Sequence, residues 1–207
     1  MKLLTSILCA LSILLVWSPS YAYTLDDLTL PEVVPATAER PELTLNGASL
    51  RELYMLVKSY VGALYLEETS SDPITILNSD THKSMVFYVR MKHVSARRIG
   101  NALREALILN LTQKEHEDLS KESEQMLSYF TGRMYAGEKA TFDYIPGKGT
   151  RITINNQVKG IIPGKAYFRS MLSMWIGDHS VGRDFKEGIL GANMKQRTAQ
   201  VVDNHVL

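Results

Sequence analysis

The stretch ATFDYIPGKGTRITINNQVKGII, residues 140–162, decides the fold class. Ala140 to Ile145 and Arg151 to Asn155 are rich in β-branched and aromatic residues, and Pro146-Gly147-Lys148-Gly149 between them has the composition of a turn. Asn155-Asn156 makes the next turn, and Val158 to Ile162 supplies a third strand before Pro163-Gly164 stops it. Three strands joined by turns this short pair as an antiparallel meander, because a parallel crossover needs a dozen or more residues.

Outward from the meander, strands and helices come in blocks. On its N-terminal side, Leu43 to Leu45 predicts a short strand, with Asn46-Gly47 as a turn. Leu53 to Lys58 and Tyr60 to Leu66 predict two more strands. Asp72-Pro73 opens a short helix through Leu77. Met85 to Met91 predicts a strand with apolar bulk on both faces: Phe87, Val89 and Met91 on one, Val86 and Tyr88 with Arg90 on the other. Such a strand belongs at the centre of a sheet. Ser95 caps a helix whose stripe is Ile99, Ala102, Leu103, Ala106, Leu107, Asn110 and Leu111. A second helix is expected over 114–130. After the meander come a helix carrying Phe168, Met171, Leu172 and Trp175, ended by Gly177, and a last one over 181–190, closed by Gly191. Strands, helices, strands, helices is segregated α+β, with helices covering one face of a mostly antiparallel sheet.

The N-terminus has a different logic. Lys2 is followed by an apolar run from Leu3 to Trp17, then Ser18-Pro19 and Ser20-Tyr21-Ala22, with small residues at the positions that a signal peptidase inspects. That run is shorter than the ~20 apolar residues that a spanning helix needs. Residues 1–22 are therefore expected to be a signal peptide cut after Ala22, giving a periplasmic or secreted protein without a stable membrane span. Cys9, the one cysteine, lies inside the run, so the mature chain would lack disulfides, zinc thiolates and a catalytic thiol. Residues 23–42, with Pro31, Pro35 and Pro41, are expected as an extended arm, 43–191 as the domain, and 192–207 as a polar, disordered tail.

The chain carries 23 basic and 22 acidic residues, and the leader removes one lysine and no acid. A balanced total argues against nucleic acid or an anionic membrane as partner. Gly147-Lys148-Gly149-Thr150 joins two strands instead of opening a helix, so it is a hairpin turn and not a phosphate loop. No Gly-x-Ser-x-Gly elbow exists. His82, His93, His116, His179 and His205 are scattered, so neither a metal nor a cofactor is expected. Arg51 begins an apolar, strand-like run. At the mouth of an apolar pocket its fixed charge and planar fork would hold a carboxylate or stabilise an oxyanion. Arg90 is expected in a structural ion pair. Tyr60, Tyr65 and Tyr88 are the phenols best placed to line a pocket, with simple packing as their default.

Several segments resemble the chalcone isomerase-like family, in particular its exported bacterial branch. They are Leu45-Asn46-Gly47-Ala48-Ser49-Leu50-Arg51, Tyr60-Val61-Gly62-Ala63-Leu64-Tyr65-Leu66, the stretch from Asp143 to Thr150, Gly160-Ile161-Ile162-Pro163-Gly164 and Trp175-Ile176-Gly177-Asp178. The resemblance implies an open-faced sandwich, a large antiparallel sheet under a layer of helices with a ligand cleft between them. Its members divide into enzymes that close chalcones to flavanones and proteins that bind fatty acids. The family's arginine matches Arg51, which serves either role. Where the enzymes place a threonine on the next strand, Ser59 or Tyr60 falls here. Where their catalytic helix carries a tyrosine and an asparagine, the Ser95–Leu111 segment has no tyrosine, and Asn101 and Asn110 do not match clearly. The expected function is therefore a non-catalytic binder of a small amphipathic acid such as a fatty acid, held by Arg51, Ser59 and Tyr60. The alternatives are an isomerase or lyase using Arg51 as electrophile and Tyr60 as proton donor, and an interaction protein whose cleft its own side chains close.

Overall fold

The structure, a computed structural model, describes residues 22–53 and 57–194. The expected signal peptide therefore lies outside the described residues, apart from Ala22, as does the expected tail beyond Met194.

A seven-stranded, wholly antiparallel sheet forms the frame. In chain order its strands are β3 (Val33–Val34), β4 (Leu43–Leu53), β5 (Val57–Leu66), β6 (Lys83–Val89), β9 (Lys139–Ile145), β10 (Gly149–Ile154) and β11 (Gln157–Pro163). Their spatial order is β11-β10-β9-β6-β5-β4-β3, so the 140–162 meander forms one side and β6 lies in the middle. The two-faced apolar pattern of β6 has its explanation there: Met85 and Val89 enter one core, while Val86 enters another.

The main core lies between the sheet and the helices α1 (Pro73–Asn78), α2 (Ala96–Asn110), α3 (Gln113–Asp118), α4 (Ser120–Ser128), α5 (Lys165–Ile176) and α6 (Arg183–Ile189). Helix α5 carries the most of it, with Tyr167, Phe168, Met171, Leu172, Met174, Trp175 and Ile176 all buried. Asp72 caps α1 by accepting from the N–H groups of Ile74 and Thr75, and Ser95 caps α2 by accepting from that of Arg98. The expected single helix over 114–130 is broken at Leu119. A capping box on Thr112 and Glu115 starts α3, and Leu119 (ψ 11°) leaves helical geometry before α4.

Within the expected arm, 23–42, residues 23–34 are extended but paired. β1 (Ala22–Leu25) and β2 (Leu28–Pro31) form a hairpin, and β3 adds an edge to β4. The hairpin lies on the back of the sheet, where Tyr23 and Leu30 are buried with Leu43, Leu45, Val61, Ala63 and Tyr65. Arg90 pairs with Asp26 (3.3 Å) and with Asp27, the structural ion pair expected of it. The proline-rich composition hid this segment, because strand pairing here is brief and its apolar anchors are few. A second ribbon, β7 (His93–Ser95) with β8 (Arg133–Tyr135), was not anticipated either, each strand being three residues long.

Asn46-Gly47 is not a turn. β4 runs straight through it, with a bulge between Leu45 and Gly47 in the pairing with β5. Helix α6 explains why. A Cβ on Gly47 would lie 2.2 Å from the Gly188 carbonyl oxygen, so only glycine admits the helix this close. Asn46 is buried beside it and donates to the Ile189 carbonyl (3.0 Å), while its own carbonyl accepts from Ser70 N–H (2.7 Å).

Candidate functional site

That bulge decides which way Arg51 points. Side chains alternate along a strand, so Leu43, Leu45, residue 47, residue 49 and Arg51 would share one face in a regular β4. Leu43 and Leu45 are on the back face, yet so are Ala48 and Leu50. One extra residue at the bulge has reversed the parity. Arg51 is thereby delivered to the helix side, where it stands directly opposite Tyr60 of β5, with Val89 of β6 opposite Tyr60 in turn.

These residues open onto a cavity of about 440 Å³ between the sheet and α2. Arg51, Ser59 and Tyr60 all line it, so the three residues singled out in the sequence come together at one site. The sheet supplies Phe87, Val89, Ala140 and Phe142, α5 supplies Met174 and Trp175, and α2 supplies Ile99, Ala102, Leu103 and Ala106. The apolar stripe of α2 is thus not all core: of that helix only Leu107 is fully buried. The cleft is not packed shut by its own side chains.

Polar groups are few: Arg51, Ser59, Tyr60 and Trp175 from the sheet and α5, and the exposed Arg98 and Glu105 from α2. Trp175 Nε1–H donates to the Tyr60 hydroxyl (3.1 Å), which leaves the phenolic proton free to be donated. The Tyr60 ring is fixed edge-on against Phe87 (5.4 Å) and Phe185 (5.5 Å). Burial pushes its phenol above the usual range, outweighing the Trp175 hydrogen bond and the Arg51 charge, which both pull it down. Tyr60 therefore keeps its proton at neutral pH and can donate a hydrogen bond. The backbone carbonyl of Ser59 accepts from Arg90 N–H (2.9 Å), which holds the end of β5 against the chain leaving β6.

Arg51 is half-buried, and among the described residues its guanidinium has no hydrogen-bond or ion-pair partner. Gly182 lies against it, since a Cβ there would be 3.1 Å from Nη1. Around an apolar cavity, an unpaired guanidinium is a ready receptor for an anionic group.

Tyr65 and Tyr88, the other candidate phenols, belong to the back face and do not reach the cavity. Asn101 is exposed, and Asn110 donates to the carbonyls of Ala106 (3.0 Å) and His179 (2.9 Å), tying α2 to the chain before α6. Neither lines the cavity. Trp175 was missed as a site residue because its helical stripe read as core. Its position in the Trp175-Ile176-Gly177-Asp178 segment was the available signal. Among the described residues no group of three His, Cys, Asp or Glu side chains is arranged to hold a metal ion.

The fold and site define a sheet-and-helix sandwich with an apolar cleft anchored by one arginine. Residues 22–191 match the family model described as chalcone isomerase-like, and the chain belongs to that family. Among solved structures, it is similar to a fatty-acid binding protein of Arabidopsis thaliana, with a TM-score of 0.67 and 14% identity, covering 82% of this chain and 96% of that one. At that identity the likeness shows the fold alone. No curated protein matches the chain.

Proposed function

We propose that this protein is an exported, non-catalytic binder of a small amphipathic acid such as a fatty acid. The observation that carries the proposal is the unpaired, half-buried Arg51 guanidinium at a largely apolar cavity, whose other charged lining residues, Arg98 and Glu105, are exposed. A carboxylate would accept from Arg51 and from the Tyr60 hydroxyl, and its hydrocarbon would lie along Phe87, Phe142, Trp175 and the α2 stripe. The size lies within the ~300–1,000 Å³ of small-molecule pockets, and such sites combine apolar walls with a few placed polar groups. That the similar plant structure is a fatty-acid binding protein supports the reading. Export rests on the sequence of residues 1–22, with removal after Ala22, and kinship with an exported bacterial branch rests on the segments from Leu45 to Asp178 that resemble it.

One observation favours a second reading, an isomerase or lyase. Tyr60 has a free proton beside a fixed positive charge, which is what an electrophilic site needs. Against it, α2 has no tyrosine, and the one carboxylate that lines the cavity, Glu105, is exposed.

Native mass spectrometry of the protein recovered from its host, followed by denaturation, tests export and binding together. A mass beginning at Tyr23 and a released acid are the expected results. An intact N-terminus overturns export, and an empty protein that also fails to take up a fatty acid in solution overturns the binder. Arg51→Ala is expected to weaken fatty-acid affinity by about tenfold to hundredfold, the loss of a charge-assisted hydrogen bond. Unchanged affinity would remove Arg51 from the anchoring role.

A further inference from the structure

Helix α2, which roofs the cavity, has an outer face that the fold does not explain. Its charged residues are Arg97, Arg98, Arg104 and a single acid, Glu105. At 100° per residue these four share an arc of about 140° with Ile108 and Leu109. Ile108 is 54% and Leu109 65% exposed, and Arg97, Arg98 and Arg104 are exposed too. None of the three arginines has an ion-pair partner among the described residues.

Two of those arginines oppose the helix itself. Arg97 and Arg98 occupy the first turn, which holds no acid, and so face the positive end of the helix dipole. Arg133 adds to this charge, since β8 pairs it with Ser95, the α2 cap. A cluster of like charge at the wrong helix end, without partners and beside exposed large aliphatics, lowers the stability of the isolated chain. An anionic surface with an apolar interior would relieve the charge and the exposed aliphatics together.

We propose that the outer face of α2 docks the protein onto an anionic lipid bilayer. The arginines would lie at the headgroups, and Ile108 and Leu109 would enter the acyl boundary. Arg98, Glu105 and Leu109 also line the cavity, so the docked face brings its mouth to the lipid. A basic helix with apolar side chains on its surface is the pattern of interfacial binding. Nucleic acid would match the charge but not the exposed Ile108 and Leu109. The balanced total charge of the chain argued against such a partner. Distribution decides otherwise, because this face sets three arginines against the single acid Glu105. Docking does not depend on what the cavity holds, so the test is run without cargo.

The experiment is co-sedimentation of the full chain with phosphatidylcholine vesicles, with or without phosphatidylglycerol. The variants are Arg97→Gln with Arg104→Gln, and separately Ile108→Ser, none of which lines the cavity. Because these residues are exposed, an unchanged melting temperature verifies that the variants fold. An apolar leader, where retained, adds equally to every sample. Binding is expected to require phosphatidylglycerol, to fall with added salt, and to drop about twenty-five-fold in the double arginine variant, at roughly fivefold per arginine. Ile108→Ser is expected to weaken it about threefold. Equal binding to both vesicles, indifference to the variants, or tighter binding to a DNA duplex than to the vesicles would each overturn the proposal. Fatty-acid affinity in the same variants is expected to be unchanged, which separates failure of docking from failure of the binding site.

Discussion

Lys83 is 2% exposed, and its ammonium donates to the carbonyls of Ser79 (2.9 Å) and Thr81 (3.1 Å) and lies 5.2 Å from the Tyr144 ring. Burial first, and then the charge of Lys165, pull its pKa from the usual 10.5 down to about 8, against the opposing pull of Asp80 and Glu67. The folded chain thus releases this proton at a lower pH than the unfolded chain does. Between about pH 8 and 10.5 the unfolded state binds the extra proton, so stability from this group rises with pH across that window and is flat below it. The stability of the wild type minus that of Lys83→Met, from urea denaturation, is expected to increase from pH 8 to pH 10. A flat difference would show the ammonium to be effectively solvated. Arg51 meets the cost of burial differently, since it is only half-buried, at the edge of a cavity. Its guanidinium has no partner among the described residues, and that is why the proposed receptor is Arg51 and not Lys83. Both residues are visible in the sequence, yet nothing local to either distinguishes them. Their difference lies in the carbonyls, rings and cavity that the fold brings beside each.

At the scale of the element, β4 and α6 form one device. Asn46 fastens the bulge to the C-terminal end of α6, Gly47 lets that helix approach, and Gly182 before the same helix lies against Arg51. Gly47→Ala places a methyl group against backbone, which cannot turn aside as a side chain can. The substitution is expected to destabilise by about 1–3 kcal/mol or more, the range of overpacked cores, read as a lower denaturation midpoint at constant m. An unchanged midpoint would mean that α6 is free to withdraw. Most elements were legible in the sequence, with the centres of β5, β6, β9, β10, β11, α1, α2, α5 and α6 where periodicity and turn residues put them. The misread junctions are those where tertiary contact overrides local chemistry. Asn-Gly is a turn dipeptide wherever nothing packs on it, and here a helix does. Leu119 looked helical because its side chain fits the stripe, while the backbone bends there.

For the whole molecule, the sheet is covered twice. Helices bury the larger core, and the β1–β2 hairpin closes part of the back face. Leu30 is completely buried there. Leu30→Ala is expected to cost about 2–5 kcal/mol, enough to remove much of the stability of an ordinary domain, and thermal melting reads it directly. A loss below ~1 kcal/mol would show that the hairpin is an appendage, as the sequence had suggested. By itself the sequence determined the fold class, the central place of β6 and the residues worth watching, Arg51, Ser59 and Tyr60. Periodicity, turn composition and family pattern are local properties and survive in one dimension. Only the tertiary structure decided that these three residues share one cavity with Trp175, and that α2 is as much roof as core. The face on which Arg51 lies depends on the parity of a strand. A single bulged residue reverses that parity, and it is held in place by a helix whose Ile189 lies 143 residues after Asn46 in the chain.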